Sequence, residues 1–462
     1  MASRESPGAA EGEEIPAEWQ RAFRWVEDLL GGRIVRRERQ ARWRPAWLLD
    51  LERDGRSLPL YFRGDRGRTD HGVYPLEHEL RVLRVLEAQG IPVPHVYGLC
   101  PDPRGILLER CPGRANLATA ESPAEREAVL DHYIELLARM HRIDPAAFEA
   151  VGLARPRTPE ALGLGDFDAW ERSYRRTKRR PEPLIEFVIR WLRRNAPRDR
   201  ERVTFLTVDS GQFLFEGGRV TAVLDLELAC LGDPLADLAG LRCRDLSEPL
   251  GDLPRALRRY AELTGEEIDC RAVDYHTARF GICTPMVVAH LVADPPPDLD
   301  LAQYLSWYLV YSRAPLEAIA HGMALALEPI ALPEPEPTRH APAHGALEAL
   351  LSGAAPCGGF EAWRAGAALR LAQYLRRADR LGPALDALDR DEAARLLRRR
   401  PPSAEETDAR LEELVLEAGP ERDADLVRYF HRRVQRQEAL LGPALRELEG
   451  ALLQPIDGPV RG

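Results

Sequence analysis

Two apolar runs joined by a glycine turn dominate the segment Thr204–Arg242. The runs Phe213–Phe215 and Val220–Leu224 flank the residues Glu-Gly-Gly-Arg, a pattern that predicts a β-hairpin. Asp209 stands just before the first run, and Asp225 directly follows the second. The hairpin therefore brings two carboxylates to one end of a small sheet. Such a pair suits a divalent metal ion, or a base beside a metal ion.

The residues after the hairpin carry a resemblance to a known family. Asp225–Glu227 reads Asp-Leu-Glu, and Gly232–Ala239 reads Gly-Asp-Pro-Leu-Ala-Asp-Leu-Ala. This segment resembles the core of the aminoglycoside phosphotransferase family, which shares the protein-kinase-like fold. The family has Asp-Trp-Glu and Gly-Asp-Pro-x-x-Asp-Leu-Ala at these places. The resemblance spans roughly residues 20–325.

The residues before the hairpin depart from that family. Its His-Gly-Asp is replaced by Thr207-Val208-Asp209, and its Asn by Gln212, with two residues fewer between Asp and amide. At ~3.3–3.6 Å per extended residue, roughly 7 Å of chain is missing. The extra methylene of Gln212 is too short to restore that length, so the loop must follow a different course.

The resemblance implies a role for each polar residue of this core. Asp209 would accept or orient the proton of an attacking hydroxyl group. Asp225 would hold Mg²⁺ against the terminal phosphates of ATP, and Gln212 would offer a carbonyl oxygen to the same ion. Asp233 and Asp237 would support the two loops through hydrogen bonds.

Residues 17–112 have the element order of a kinase small lobe. The patterns predict a helix, two strands, a second helix and two further strands. These elements are expected at Pro16–Leu30, Trp47–Leu51, Leu58–Arg63, Leu76–Gln89, His95–Leu99 and Gly105–Glu109.

Glu79 falls in the middle of the apolar stripe of the second helix. A buried carboxylate needs a partner, and in kinases this helix carries a glutamate that pairs with the cation of the third strand. The pair here would be Glu79 and Arg63, with Arg63 bracing the phosphates. Lys178 is the only lysine of the chain, so an arginine at that place follows the general usage of this sequence. The alternative is a plain ion pair that only orients the helix.

Two further segments bear on nucleotide binding. No glycine-rich phosphate loop is visible, and Arg42–Trp47 stands where the family has a short Gly/Ser/Asn turn. This segment either offers guanidinium groups to phosphates or occludes the site. Arg110–Gly113 would form the hinge between the lobes, which places Arg110 and Cys111 beside the adenine.

The rest of the chain predicts helices. We expect a disordered tail over 1–16, a large lobe over 113–330 in which His141 is a core residue, a Pro-rich linker over 331–344 and a helical domain over 345–455. Five helices are expected in that last domain, at 346–353, 359–379, 381–398, 404–418 and 422–452. It shows no catalytic constellation, so binding of a protein partner or self-association is its expected role.

Charge, apolar runs and cysteine usage indicate which partners and which compartment to expect. The formal net charge of −10 offers no general attraction to phosphate backbones, so a nucleic-acid partner is not expected. No apolar run reaches the ~18–20 residues that cross a membrane. The seven cysteines form no Cys-x-x-Cys motif, and we expect them to be reduced thiols in the cytoplasm.

We therefore predict an α+β, protein-kinase-like two-lobe fold, with a small antiparallel-sheet lobe, a mainly helical large lobe and an all-α C-terminal domain. The predicted function is Mg-ATP-dependent phosphoryl transfer to a small hydroxyl-bearing molecule. Several members of the family branch associated with acyl-CoA metabolism also carry an arginine on the third strand, where this chain has Arg63. This resemblance implies an acyl-CoA-related acceptor. The alternative is a pseudokinase that senses nucleotide or acts as a scaffold through its helical domain.

Overall fold

The computed structural model describes residues 15–40, 44–65, 73–297, 299–353 and 359–456. The expected disordered tail lies almost entirely outside these ranges. Arg42, Trp43 and Cys357 also lie outside them.

The N-terminal part is built on a five-stranded antiparallel sheet with the strand order β1-β2-β3-β5-β4. Alternate residues of its central strands point to opposite faces, each covered by one helix. Leu107 packs with Trp19 and Phe23 of the first helix, whereas Ile106 and Leu108 join the core of the second helix. The elements are α1 (Ala17–Leu30), β1 (Arg33–Arg39), β2 (Ala46–Arg53), β3 (Arg56–Gly64), α2 (Leu76–Ala88), β4 (Val96–Pro101) and β5 (Arg104–Glu109).

Strand β1 was missed by the sequence prediction. Its sequence, Arg-Ile-Val-Arg-Arg-Glu-Arg, has no apolar alternation, and none of its residues is buried. It is an edge strand that pairs only with β2. Charged residues are common on edge strands because they discourage pairing with other chains, so the pattern of a half-buried strand is lost.

The large lobe is helical apart from two pairs of short strands. The predicted hairpin is confirmed as β7 (Phe213–Glu216) and β8 (Arg219–Val223), and its turn places Gly217 and Gly218 at φ 56° and 75°. Glycine has no Cβ and adopts these positive φ values without strain. The second pair joins β6 (Thr204–Leu206) to β9 (Cys230–Gly232). The helices are α3 (Pro123–Met140), α4 (Pro145–Glu149), α5 (Pro159–Leu164), α6 (Phe167–Thr177), α7 (Pro183–Arg194), α8 (Leu235–Arg244), α9 (Leu253–Thr264), α10 (Cys270–Ala293) and α11 (Leu301–Gly322).

The C-terminal region is wholly helical beyond the Pro-rich stretch. Its helices are α12 (Ala341–Gly353), α13 (Gly359–Leu397), α14 (Ala404–Glu417) and α15 (Asp423–Leu441). The predicted break near residue 380 is wrong, because α13 continues through Pro383. Helix α15 ends earlier than predicted, where Gly442 takes φ 49°. A 3₁₀ segment, Gly442–Leu448, follows it.

Helices α13 to α15 share a core with the large lobe. Phe187 of α7 lies 5.8 Å from Phe430 of α15, measured between ring centroids, and Leu411 of α14 belongs to the same cluster. Ion pairs surround this contact, including Lys178–Glu412 at 2.7 Å and Arg194–Asp423 at 2.6 Å. The apolar faces of these helices are therefore buried against the large lobe.

None of the helices in the described ranges combines the length and the apolar character needed to cross a membrane. The division into domains at 331–344 stays a prediction.

Replacing Phe430 with Ala should destabilise the protein by about 3–5 kcal/mol, because a fully buried aromatic side chain leaves a cavity. Chemical denaturation followed by tryptophan fluorescence measures this. Leu350→Ala is the control, since Leu350 is 72% exposed and should change stability by no more than about 0.5 kcal/mol. Equal effects of both substitutions would contradict a core shared between α15 and the large lobe.

Candidate active site

The hairpin brings the loops of Asp209 and Asp225 together. Phe213 pairs with Val223 at the open end of the hairpin, and the N–H of Leu224 donates a hydrogen bond of 2.9 Å to the carbonyl oxygen of Gln212. Burial raises the pKa of Asp209, and the negative charge of Asp225 raises it further. The predicted convergence of the two carboxylates is present.

Asp237 holds the loop that carries Asp209. Its carboxylate accepts hydrogen bonds from the backbone N–H groups of Thr207 at 2.9 Å and Val208 at 2.7 Å. The same carboxylate lies 3.1 Å from Nε2 of His141, a buried residue that also contacts Tyr260. Val208 adopts φ 67°, a left-handed conformation that is strained for a β-branched residue. The bonds from Asp237 hold the loop in that conformation, and His141 is a core residue as expected.

Gly240 allows helix α8 to approach this loop. A Cβ atom at Gly240 would lie 2.2 Å from the carbonyl oxygen of Val208 and 3.1 Å from the backbone nitrogen of Ser210. Both neighbours are backbone atoms, so they have little freedom to move. Only a glycine fits here.

Asp209 is engaged by two side chains. Arg244, at the end of α8, places its guanidinium on both carboxylate oxygens, with Nε 3.2 Å from Oδ1 and Nη2 on Oδ2. The amide nitrogen of Gln212 donates a 2.8 Å bond to Oδ2. The charge of Arg244 opposes the effect of burial on the pKa of Asp209. The carboxylate is thus oriented and partly neutralised by its own chain.

Arg63 lies at the centre of a group of carboxylates. Its Nη1 is 2.5 Å from Oε1 of Glu79, and its Nη2 contacts Asp225 and lies 2.9 Å from Oε2 of Glu227. Burial raises the pKa of Glu79, with Arg63 opposing and the other two acids adding to the rise. The expected contact between Arg63 and Glu79 is present. Its role in phosphate binding stays a prediction.

Arg44 contacts the same group of carboxylates. It belongs to the tip between β1 and β2, which we define as Gln40–Trp47. The residue is 3% exposed, and its Nη1 is 2.8 Å from Oε2 of Glu227. The tip therefore sends a guanidinium into the space between the lobes, at the place where the family has a small-residue turn.

The two predicted hinge residues, Arg110 and Cys111, differ in which of their groups are already bonded. The guanidinium of Arg110 pairs with Asp50 of β2, and its N–H donates to the carbonyl oxygen of Pro59 at 3.1 Å. Within the described part of the chain, the backbone N–H and C=O of Cys111 make no hydrogen bond. The Cys111 backbone thus offers a donor and an acceptor to a planar ligand, and the Arg110 side chain is used to fasten the sheet.

Asp233 supports the helix that follows the hairpin. It pairs with Arg200 through bonds of 2.8 and 3.0 Å, accepts from the N–H of Leu235 at 3.1 Å and lies 3.4 Å from Nε2 of His276. Burial alone would raise the pKa of Asp233, but His276 and Arg200 outweigh it and hold the pKa well below the usual range. Asp233 is a charged anchor for the start of α8.

The donor set suits Mg²⁺ only in part. Among the described residues, no group of three or more His, Cys, Asp or Glu side chains is arranged to hold a metal ion. Asp225 and Gln212 supply hard oxygen donors, and Mg²⁺ is commonly held by one or two carboxylates together with phosphate and water oxygens. These two residues therefore fit Mg²⁺ when a nucleotide completes the coordination.

The sequence assigns no role at this site to Glu227 or Arg244, and it leaves open the role of the segment that contains Arg44. A signal for Arg244 was present, because it stands seven residues after Asp237 on α8 and so lies on the same helical face. Glu227 belongs to the Asp-Leu-Glu motif, which was used only to recognise the family. For Arg44, the sequence left open whether the tip points inward.

Comparison with known proteins relates this part of the chain to phosphotransferases. Residues 65–280 match the family model described as phosphotransferase enzyme family, APH. The resemblance recognised in the sequence is therefore confirmed over these residues. The kinase-like α+β fold with its helical C-terminal region is confirmed as well.

Curated relatives align over a limited part of the chain. Acyl-CoA dehydrogenase family member 10 of Mus musculus is 32% identical over 180 residues, which are 36% of this chain and 16% of that protein. Acyl-CoA dehydrogenase family member 11 of Rattus norvegicus is 30% identical over 180 residues, which are 36% of this chain and 23% of that protein. The chain thus matches less than a quarter of the length of either relative.

Solved structures of phosphotransferases are also similar. Aminoglycoside phosphotransferase APH(4)-Ia has 14% identity and a TM-score of 0.46, over 64% of this chain and 99% of that one. Macrolide 2'-phosphotransferase MphH from Brachybacterium faecium has 19% identity and a TM-score of 0.42, over 60% and 99%.

Replacing Gly240 with Ala should destabilise the protein by about 1–3 kcal/mol, because the new methyl group clashes with the Val208 carbonyl oxygen. The measurement is the midpoint of urea unfolding. Gly345→Ala in α12 is the matched control, since a Cβ there meets nothing within 4 Å, and alanine should stabilise the helix by up to about 1 kcal/mol. A stabilising effect at both positions would show that α8 does not contact the loop so closely.

Proposed function

We propose that this protein is a Mg-ATP-dependent phosphotransferase that acts on a hydroxyl group of a small molecule. One observation carries the proposal: the bonded pair of Arg63 and Glu79 meets Asp225 at the end of the hairpin that also holds Asp209. This arrangement supplies a cation for phosphates, an oxygen ligand for a metal ion and a carboxylate for the acceptor. Phosphoryl transfer needs little more than such positioning and charge stabilisation.

Each residue has a task in that reaction. Arg63 binds the phosphates of ATP and is held in place by Glu79, and the Cys111 backbone meets the adenine. Asp225 and Gln212 would hold Mg²⁺, which would supply positive charge to offset that of the phosphates. Asp209 accepts or orients the hydroxyl proton as the phosphorus–oxygen bond to the acceptor forms and the bond to ADP breaks.

Arg244 determines how Asp209 serves as a base. A carboxylate paired with a guanidinium is a weaker proton acceptor, because the positive charge stabilises its ionised form. The burial of Asp209 acts in the opposite direction. Burial has the larger effect, so the pKa of Asp209 stays raised, and the guanidinium of Arg244 fixes the orientation of the carboxylate.

A pseudokinase is the second candidate, and the contact of Arg244 with Asp209 favours it. In that case the ion pair would occupy the base permanently, and the site would bind nucleotide without turnover. Asp225, Arg63 and Glu79 would still form a nucleotide-sensing site.

The acceptor is the least defined part of the proposal. The names of the curated relatives refer to acyl-CoA, which supports an acyl-CoA-related acceptor. Binding of a partner through 345–455 stays a prediction. Most buried apolar residues of α13 to α15 face their own neighbours or the large lobe, so a partner would have to use the outer surface.

Melting temperature with and without ATP and Mg²⁺ tests the nucleotide site. A ligand at 100 times its dissociation constant adds about 2.7 kcal/mol to the stability of the folded state. We expect a Mg²⁺-dependent rise in wild type that is lost in Asp225→Asn. Glu135→Gln, which alters a surface pair with Arg259, should keep the rise. If wild type shows no rise, nucleotide binding by this site is wrong.

The pH dependence of ATP turnover tests the base. Removing the positive charge of Arg244 in Arg244→Gln should raise the pKa of Asp209, so the acid limb of kcat/KM should move to higher pH. Asp209→Asn should lower turnover by roughly 10²–10⁴-fold. No turnover in wild type, despite nucleotide binding, would favour the pseudokinase. A limb that moves to lower pH in Arg244→Gln would rule out Asp209 as the titrating base.

A further inference from the structure

The tip between β1 and β2 is fastened directly beside Arg63. Ala46 is paired with Arg63 in the β2–β3 ladder, and the N–H of Gly64 donates a 2.9 Å bond to the carbonyl oxygen of Pro45. The N–H of Gln40 closes the base of the tip by donating to the carbonyl oxygen of Ala46, also at 2.9 Å. The backbone next to Arg44 is therefore part of the sheet.

This anchoring brings two guanidinium groups onto one oxygen atom. Nη1 of Arg44 lies 2.8 Å from Oε2 of Glu227, and Nη2 of Arg63 lies 2.9 Å from the same atom. Like charges repel each other strongly where water is excluded, and Arg44 is buried. An anion between the two arginines reduces this repulsion, and Glu227 supplies one in this structure.

A phosphate group is a better match for the two guanidiniums than a single carboxylate oxygen. A guanidinium presents a planar fork of donors that binds phosphate oxygens through two parallel hydrogen bonds. In kinases, backbone groups of a glycine-rich tip cover the phosphates from this side. The tip Gln40–Trp47 contains no glycine, the residue that lets a backbone approach phosphates closely.

We propose that Arg44 is a phosphate-binding residue, which leaves Glu227 and binds the terminal phosphates of ATP when the nucleotide enters. It thereby replaces, with a side chain, the contacts that a glycine-rich tip makes with its backbone. The proposal rests on the ATP-dependent function stated above.

Dissociation constants for ATP and adenosine, measured by titration calorimetry in the presence of Mg²⁺, test this role. Arg44→Gln should weaken ATP binding about tenfold, which corresponds to about 1.4 kcal/mol, and should leave adenosine binding unchanged. Arg36→Gln is the control, because Arg36 lies on the same hairpin, is 58% exposed and pairs with Glu38. It should leave both constants unchanged. Arg44→Lys keeps the charge but loses the fork, so it should weaken ATP binding by a smaller factor.

Three results would overturn the role of Arg44 while the proposed function stands. Tighter ATP binding by Arg44→Gln would mean that Arg44 occludes the site. An equal loss for ATP and adenosine would mean that it only shapes the lobe, and unchanged binding would mean that it does not reach the phosphates. Should Arg44→Gln fail to fold, unchanged ATP binding by Arg44→Lys would likewise count against the role. If wild type binds adenosine but gains nothing from the phosphates of ATP, both proposals are wrong.

Discussion

The buried guanidinium of Arg63 is the interaction on which this site depends. It joins three separate parts of the chain: its own strand β3, helix α2 through Glu79, and the segment after the hairpin through Asp225 and Glu227. Removing it would deprive three neighbouring carboxylates of the cation that they share, and an uncompensated buried charge costs several kcal/mol. The position of α2 relative to the large lobe is thus set by charge as well as by apolar packing.

Helix α8 organises the other half of the site along one face. Asp237, Gly240 and Arg244 follow at helical spacing, and each acts on the same short loop. The carboxylate of Asp237 binds the backbone of the loop, the missing side chain of Gly240 allows contact, and Arg244 orients Asp209. A loop that is two residues shorter than that of the family keeps its aspartate beside Asp225 because this helix supports it over its whole length.

The C-terminal helices extend the large lobe. Their apolar residues merge with those of α7, α10 and α11 in common clusters, and α13 reaches back to the small lobe, where Arg39 stacks over Phe360 at 4.0 Å. Arg39 stands five residues before Arg44 in the sequence. The helical region therefore touches the strand that leads into the tip of the candidate nucleotide site as well as the helices of the large lobe.

The sequence by itself determined the local elements and the chemistry of the core. Periodic apolar residues and glycine turns predicted the hairpin, α1, α2 and four of the five sheet strands. The contact of Arg63 with Glu79 was predicted from the buried position of Glu79 and from the resemblance to kinases. These features are encoded in residues close together in the chain, or in a buried charge that needs a partner. The tertiary structure decided the partners of Arg44, Glu227 and Arg244 and the packing of α13 to α15. Where no family pattern supplies the partner, an arginine in a sequence does not show which carboxylate it will meet, because long-range pairing is selected by the packing of the whole chain.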